Sequence, residues 1–329
     1  MKTLILRQED VRQILNIEDA FVAAGEAYKV FASRKLVQPP IVSVLAPEHN
    51  GELDIKSGYS IPDELIGLKV ATGYPDNPRK YGLKSLYSLT CLFDAKTSFP
   101  LCIMESSALT YFRTAAAGAY AASLLARKDS RVMAIIGTGG LARMHVRATA
   151  AFFPLTTVNV YGNIPEMQET FIRELSAEYP ALQFVSCANA KSAVENADIV
   201  ATATPSHEAI VMKEWIRPGT HINAFGCDME GKQELDPTLF GVAKVVVDSP
   251  DECIRRGETQ HSIKQGILTR DTIYAEIGEI ALGQKPGRTG DQEITIFDSV
   301  GLSIQDISIA KMVYQKGLEN HLGMEIDFC

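Results

Sequence analysis

Residues Arg131 to Phe152 restrict the possible folds more than any other stretch of the chain. A strand-like apolar run, Val132 to Ile136, breaks into Gly137-Thr138-Gly139-Gly140-Leu141-Ala142, and a helical pattern continues through Phe152. Glycine at the first position permits a tight turn. At the second it lets a pyrophosphate approach the backbone, and the small Ala142 lets helix and strand pack closely. The helix start adds free N–H groups and the positive end of its dipole. A glycine triplet alone is a weak signal. Set between a strand and a helix, it predicts the nucleotide-binding βα unit of a Rossmann-type, doubly wound α/β domain.

A chain of 329 residues exceeds one typical core, so a second domain is expected. The pattern before the glycine motif differs from the pattern after it. Leu15 to Phe31 is helical in period, with Asn16 as N-cap and Asp19 in the first turn. Short β-rich runs come next at Ile41–Leu45, Leu53–Ser60, Leu65–Gly73, Ser85–Phe93 and Leu101–Met104, parted by turn clusters. They predict a meandering sheet. Ser106 to Arg127 reads as one long alanine-rich helix leading into the glycine motif. Beyond it strands at Val158–Tyr161, Phe184–Cys187, Ile199–Thr204, His221–Phe225 and Val245–Asp248 alternate with helical segments. Such alternation implies a parallel sheet. Ile294–Phe297 reads as a last strand, and Ser303 to Leu322 as a helix returning to the first domain.

Composition narrows the function classes. A net charge of −8 excludes a broad nucleic-acid footprint or an anionic membrane surface. No uninterrupted apolar stretch reaches the ~20 residues of a membrane-spanning helix. Leu4-Ile5-Leu6 before Arg7 is too short for a signal-peptide core. The cysteines at 91, 102, 187, 227, 253 and 329 are scattered. They read as reduced, mostly buried thiols of a cytoplasmic protein. The six histidines show no paired helical spacing, so no metal site is expected.

Doubly wound sheets bind ligands beyond the carboxyl ends of their strands. Besides the glycine loop, two such ends carry candidates. Ala203-Thr204-Pro205-Ser206 is a loop expected to pass over the cofactor, and Phe225-Gly226-Cys227-Asp228 brings a carboxylate to the crevice. Partial burial would raise the pKa of Asp228 and suit it to proton transfer in carbon–nitrogen redox chemistry. The alternative is that Asp228 only caps the next turn, Met229-Glu230-Gly231. Three cations are candidates for a substrate carboxylate. Lys69, in the apolar run Ile66–Ala71, is either an inward cation or an exposed residue on the alternate face. Arg113 is set in the long helix as a bidentate clamp or a solvated charge. Lys56 shares the Asp54–Gly58 face in strict alternation, away from Leu53, Ile55 and Ser57, and so is either outside or a third ligand.

The chain resembles the ornithine cyclodeaminase/mu-crystallin family from its N-terminal helix to Gly317. The resemblance is carried by Gly67-x-Lys69, Leu109-Thr110-x-x-Arg113-Thr114-Ala115-Ala116 and the glycine loop. It continues in Ala197-Asp198-Ile199-Val200-x-x-Ala203-Thr204 and Gly226-x-Asp228-x-x-Gly231-Lys232-x-Glu234-Leu235-Asp236. Val246-Val247-Asp248-Ser249, Gly257-Glu258 and Ser299-Val300-Gly301-x-x-x-Gln305-Asp306 complete it. The resemblance implies an α+β substrate-binding and dimerisation domain, residues 1–113 with 303–329, beside a nicotinamide-binding Rossmann domain, residues 114–302. It implies a homodimer and a small amino or imino acid substrate. Lys69 and Arg113 would bind the substrate carboxylate, Lys69 also serving in catalysis, and Asp228 would be the acid/base at the reacting nitrogen. Asn163 and Ser299, Val300 and Gly301 would join the cofactor site.

Two departures bear on specificity. Relatives often carry an arginine after Gln-Pro-x, where this chain has Ile41 after Gln38-Pro39-Pro40. Lys56 is the candidate replacement for that cation. The second predicted Rossmann strand ends Val160-Tyr161-Gly162-Asn163. It has neither the acid that favours NAD nor the arginine that favours NADP, so both cofactors stay open. Three functions are expected candidates: an imine/ketimine reductase or amino-acid dehydrogenase, an ornithine cyclodeaminase, and a mu-crystallin-like NADP-dependent binding protein.

Overall fold

The computed structural model describes residues 2–327. Two compact units divide the chain, one running to Arg113 and resuming at Leu302, the other covering Thr114–Gly301. In chain order the first comprises β1 (Thr3–Leu6), α1 (Gln8–Ile14), α2 (Ile17–Ala32), β2 (Leu36–Val37), β3 (Val42–Ala46), β4 (Gly51–Ser60), β5 (Leu65–Gly73), α3 (Asn77–Tyr81), β6 (Leu86–Asp94) and β7 (Pro100–Glu105). Helix α4 (Ser107–Leu125) contains the boundary residue Arg113. The second unit begins with β8 (Val132–Ile136), α5 (Gly140–Phe152), β9 (Thr157–Tyr161), α6 (Pro165–Glu178), β10 (Gln183–Ser186), α7 (Ala190–Val194) and β11 (Ile199–Thr202). It continues with β12 (His207–Val211), β13 (His221–Ala224), β14 (Gln233–Leu235), β15 (Lys244–Val247), α8 (Pro250–Arg256), α9 (Thr259–Lys264), β16 (Ala275–Glu276), α10 (Ile277–Ala281) and β17 (Thr295–Asp298). Helix α11 (Ser303–Glu319) and β18 (Met324–Ile326) rejoin the first unit.

The second unit is a doubly wound α/β domain. Its sheet is parallel throughout, in the order β10-β9-β8-β11-β13-β17-β15-β16. The chain leaves β8 for β9 on one side and returns to β11 on the other, so the order reverses beside β8 at its junction with the glycine loop. Strands β8 and β11 are almost wholly buried and apolar, as sheets covered on both faces require. Ala142 is fully buried in the cluster that joins α5 to Met133 and Ile135, the close packing that a small residue there allows.

The first unit is a mixed sheet, β18-β1-β7-β6-β5-β4-β2 with β3 on β4. Strands β4 to β7 form the antiparallel meander that the turn clusters predict. Asn16 caps α2 by accepting from the Asp19 N–H. Strand β1 and helix α1 precede the first element that the sequence pattern predicts. They are too short for periodicity to reveal, and β1 finds its partner far along the chain, pairing in parallel with β7 in the register Leu4–Cys102.

Helix α11 covers one face of this meander. Gly58 and Gly67 are adjacent across β4 and β5 and leave the room it needs. A Cβ on Gly58 would lie 2.6 Å from Ser303 Oγ, and one on Gly67 would collide with Ile307 Cγ1. The first turn of α11 is pinned by Gln38, whose Oε1 accepts from the Ser303 N–H and hydroxyl, and by Gln305, whose Nε2 donates to the Tyr28 hydroxyl. Cys102, Cys187, Cys227 and Cys253 are buried and Cys91 is half-buried, all free thiols, while Cys329 lies outside the described residues.

Candidate active site

In the second unit the ends of β8, β9 and β11 surround a cavity of about 620 Å³. Of the glycine loop, Gly137, Thr138 and Gly139 line it; Asn163, Thr204, Pro205 and Ser206 supply another wall. Gly137 has φ +113°, and a Cβ there would lie 2.6 Å from the Ala203 carbonyl oxygen. No other residue type fits that position without strain. Gly139 is the N-cap of α5, and a Cβ on it would meet nothing within 4 Å. The backbone there faces open space at a helix N-terminus, the cradle a pyrophosphate requires. Gly140 and Leu141 open the helix and Ala142 is in the core, so these three do not line the cavity.

Gly162 also lines the cavity. A side chain there would lie 2.8 Å from Thr138 Oγ1, while its N–H donates to Gln168 Oε1 at 2.7 Å. Gln168, buried on α6, donates in turn to Ser186 Oγ and the Cys187 carbonyl. The end of β9 is thus held from below by a residue that no sequence motif singles out.

Asp228 differs from expectation. Its side chain is 54% exposed and pairs with Lys232 Nζ at 2.7 Å. The partial burial expected of it is absent, because the chain turns outward past the buried Cys227. The loop itself is well held: Arg256 Nε donates to the Asp228 carbonyl at 2.7 Å, and the Gly231 N–H to Gln260 Oε1 at 2.9 Å. His145 and His221 are buried, and burial pushes both down to about 3, so they stay neutral and are poor proton carriers at physiological pH.

Beneath these loops is a set of buried carboxylates. Glu234, fully buried on β14, accepts from Thr202 Oγ1 (2.6 Å), the Thr204 N–H (2.6 Å) and hydroxyl (2.8 Å), and the Gly226 N–H (2.9 Å). It therefore ties the loop after β11 to the loop after β13. Asp248 accepts from Ser299 Oγ at 2.7 Å and the Gly301 N–H at 2.8 Å. Ser299, Val300 and Gly301 are buried, and none of the three lines the cavity. Asp298 accepts from the N–H groups of Glu258 and Thr259, and burial raises it to about 7.

In the first unit Lys69 is an inward cation. It is 4% exposed, donates to Asp306 Oδ1 at 2.8 Å, and lies 3.3 Å from Thr110 Oγ1. Arg113 Nε is 3.3 Å from the same Asp306 oxygen. Lys56 is directly opposite Lys69 in register on the face that α11 covers, so it is not on the outer face of the sheet. Its charge bears on both Lys69 and Asp306. Three cations thus surround one carboxylate. Burial pushes Lys69 down to about 8, helped by Arg113 and Lys56, while Asp306 pulls it back up. Burial works against the Asp306 carboxylate, yet the three cations hold it below the ordinary range.

Arg113 Nε, Asp306 Oδ2 and Thr90 Oγ1 are buried without a hydrogen-bond partner among the described residues. Thr90 neighbours Lys69 across β5 and β6. Unsatisfied buried groups are rare in native proteins and call for a cause. Lys69 and Arg113 together carry more positive charge than Asp306 balances, which suits the cluster to an anion.

Glu234, Asp306 and Gln168 are polar residues whose roles the sequence alone does not reveal. Glu234 and Asp306 do stand in the family motifs. Their partners lie 30 and 237 residues away, a separation no local pattern encodes.

Comparison with known proteins places the chain. An archaeal alanine dehydrogenase, solved as a dimer with bound NAD, is 36% identical and superposes with a TM-score of 0.93, covering 100% of both chains. The Thermococcus litoralis Δ1-pyrroline-2-carboxylate reductase, solved with NADH and L-proline, is 33% identical at a TM-score of 0.94, covering 98% of this chain and 100% of that one. The Paracoccus denitrificans iminosuccinate reductase, solved with NAD+, is 30% identical at 0.93, again covering 100% of both. The sequence model of the ornithine cyclodeaminase/mu-crystallin family matches residues 1–321. The chain belongs to the ornithine cyclodeaminase/mu-crystallin family.

Proposed function

We propose that this protein is an NAD-dependent oxidoreductase of the α carbon–nitrogen bond, reducing a small imino acid or running in reverse as an amino-acid dehydrogenase. The observation that carries the proposal is the buried cluster of Lys69, Arg113 and Asp306, with its surplus positive charge and unsatisfied polar atoms. A carboxylate is the ligand that answers the charge and the open Arg113 and Thr90 donors, since it neutralises cations and accepts from N–H and O–H groups. Lys69 and Arg113 hold the substrate carboxylate. Lys56, from the adjacent strand, is a further cation for a second carboxylate or for the one that Ile41 leaves unserved.

The cavity in the second unit fits a dinucleotide by its open glycine backbone and its size. Gly137, Thr138, Gly139 and Thr204 would hold the dinucleotide there, and its nicotinamide would supply or accept the hydride. The lining holds neither a lysine or arginine to attract a 2′-phosphate nor an acid to bond the ribose hydroxyls. NAD is chosen on similarity to the relatives solved with NAD, NADH and NAD+. Asp228 transfers the proton at the reacting nitrogen. Its exposure lets it exchange that proton with solvent, and Lys232 orients the carboxylate through their ion pair.

The active form is a homodimer. The sheet face of the first unit that α11 leaves uncovered exposes Val42, Val44, Ile66, Tyr87 and Leu89. A contiguous apolar face of this kind marks a protein interface, and the alanine dehydrogenase relative is a dimer. Among the described residues no helix is long and apolar enough to cross a membrane; a cytoplasmic location is proposed from the free thiols.

The test is NADH and NADPH oxidation with ammonium and a panel of pyruvate, glyoxylate and oxaloacetate, with Δ1-pyrroline-2-carboxylate alone beside them. Oxidation that depends on one of these substrates is the expected result. Proline and ammonia from L-ornithine without net cofactor change would make the protein a cyclodeaminase instead. Tight cofactor binding with no turnover on any substrate would leave a binding protein.

A further inference from the structure

We propose that Asp306 is the positioning residue of the carboxylate clamp: through its contacts with Lys69 and Arg113 it converges the two cations and keeps Lys69 protonated for an incoming anion. The inference rests on the reading of Lys69 and Arg113 as the clamp. Asp306 is itself rigidly placed. It stands in the first turn of α11, where a negative charge is favoured by the helix dipole. Gln38, Gln305 and Tyr28 pin that turn, and Gly67 lets the helix approach β5. One oxygen of its carboxylate serves both cations, while the other has no hydrogen-bond partner among the described residues.

Two buried cations cannot share a dry pocket without an anion; one of them sheds its proton. Arginine does not deprotonate, so the loss would fall on Lys69. The groups facing Lys69 are Asp306 on α11, Arg113 and Thr110 on α4, Lys56 on β4 and Thr90 on β6. Asp306 alone among them is an anion. Without its charge Lys69 becomes neutral at physiological pH, and a neutral amine holds a carboxylate weakly. Because the carboxylate binds both cations by a single oxygen, it leaves their remaining donors for the substrate.

The experiment reads Lys69 directly, apart from activity. Protein labelled with [ε-13C]lysine is titrated by NMR, with Lys69→Arg assigning the Lys69 signal. Lys69 should titrate well below an ordinary lysine in the wild type. In Asp306→Asn its midpoint should fall by a further pH unit or more, about the shift one close opposite charge produces. The alkaline side of the kcat/KM profile should move down with it. An unmoved Lys69 midpoint in Asp306→Asn overturns the proposal. Asp306→Glu carries the test should the asparagine variant not fold: the charge stays but the carboxylate shifts. Lys69 should then titrate as in the wild type while KM for the carboxylate substrate rises about 10-fold or more. An unchanged KM there would also overturn it. If no amino or imino acid turns over at all, the proposed function falls, and the NMR titration still decides the role of Asp306.

Discussion

Replacing Glu234 by glutamine tests how the cofactor crevice is held open. The carboxylate receives four donors, two on each oxygen: the Thr204 N–H and hydroxyl on one, the Thr202 hydroxyl and Gly226 N–H on the other. Glutamine keeps the shape but puts an NH2 in place of one oxygen. The threonine hydroxyls can rotate and accept from that NH2. The backbone N–H groups cannot. In either orientation of the amide, one of the Thr204 and Gly226 N–H groups loses its acceptor. A buried donor left unsatisfied costs about 1–3 kcal/mol. There is no slack to relieve it, since even a Cβ on Gly226 would collide with the Thr204 carbonyl and the Glu234 carboxylate. Burial pushes the Glu234 pKa up and the four donors draw it back. Thr204 lines the cavity, so the cost appears when the loop must be ordered around a ligand. At 1.4 kcal/mol per decade, Kd for NADH should rise about 5- to 150-fold. Titration of NADH fluorescence measures this, with a thermal melt of the apoprotein beside it. Unchanged Kd and unchanged melting together would refute the clamp.

The geometry predicts the outcome of three further substitutions. Asp228→Asn should leave NADH affinity unchanged and lower kcat by at least ~10²-fold, the usual scale for an acid/base residue; full activity would remove Asp228 from proton transfer. Gly67→Ala should destabilise the first unit by about 1–3 kcal/mol in urea unfolding, because its methyl would be forced into Ile307 at the root of α11; a neutral result would mean that the helix lifts freely off the sheet. Lys56→Ala should raise KM about 10-fold or more with kcat little changed, as loss of a charged binding contact implies, and an unchanged KM for the true substrate would exclude it as a ligand.

Much of the fold is legible in the sequence. The β8–Gly137–α5 unit falls where the glycine spacing puts it, and the meander β4 to β7 matches its predicted strands within a residue or two. Local rules suffice there: the twofold alternation of strands, the helical period, and turn residues between them. The short pieces β12, β14 and β16 escape such rules, since they lack the unbroken apolar run that marks a strand such as β8.

The candidate site divides along the same line. That Lys69 and Arg113 are unusual cations in apolar surroundings, and that residues 203–206 and Asp228 come after strand ends, can be read from neighbouring residues. Three other features depend on the folded chain. Asp306 reaches Lys69 from a helix 237 positions later, Glu234 joins two loops from a strand that belongs to neither, and Asp228 turns outward to Lys232 instead of being buried. A residue's own pattern states whether it prefers water or the interior. Which charge it will face there is set by the packing of distant segments, and in this protein that packing arranges three cations about one carboxylate.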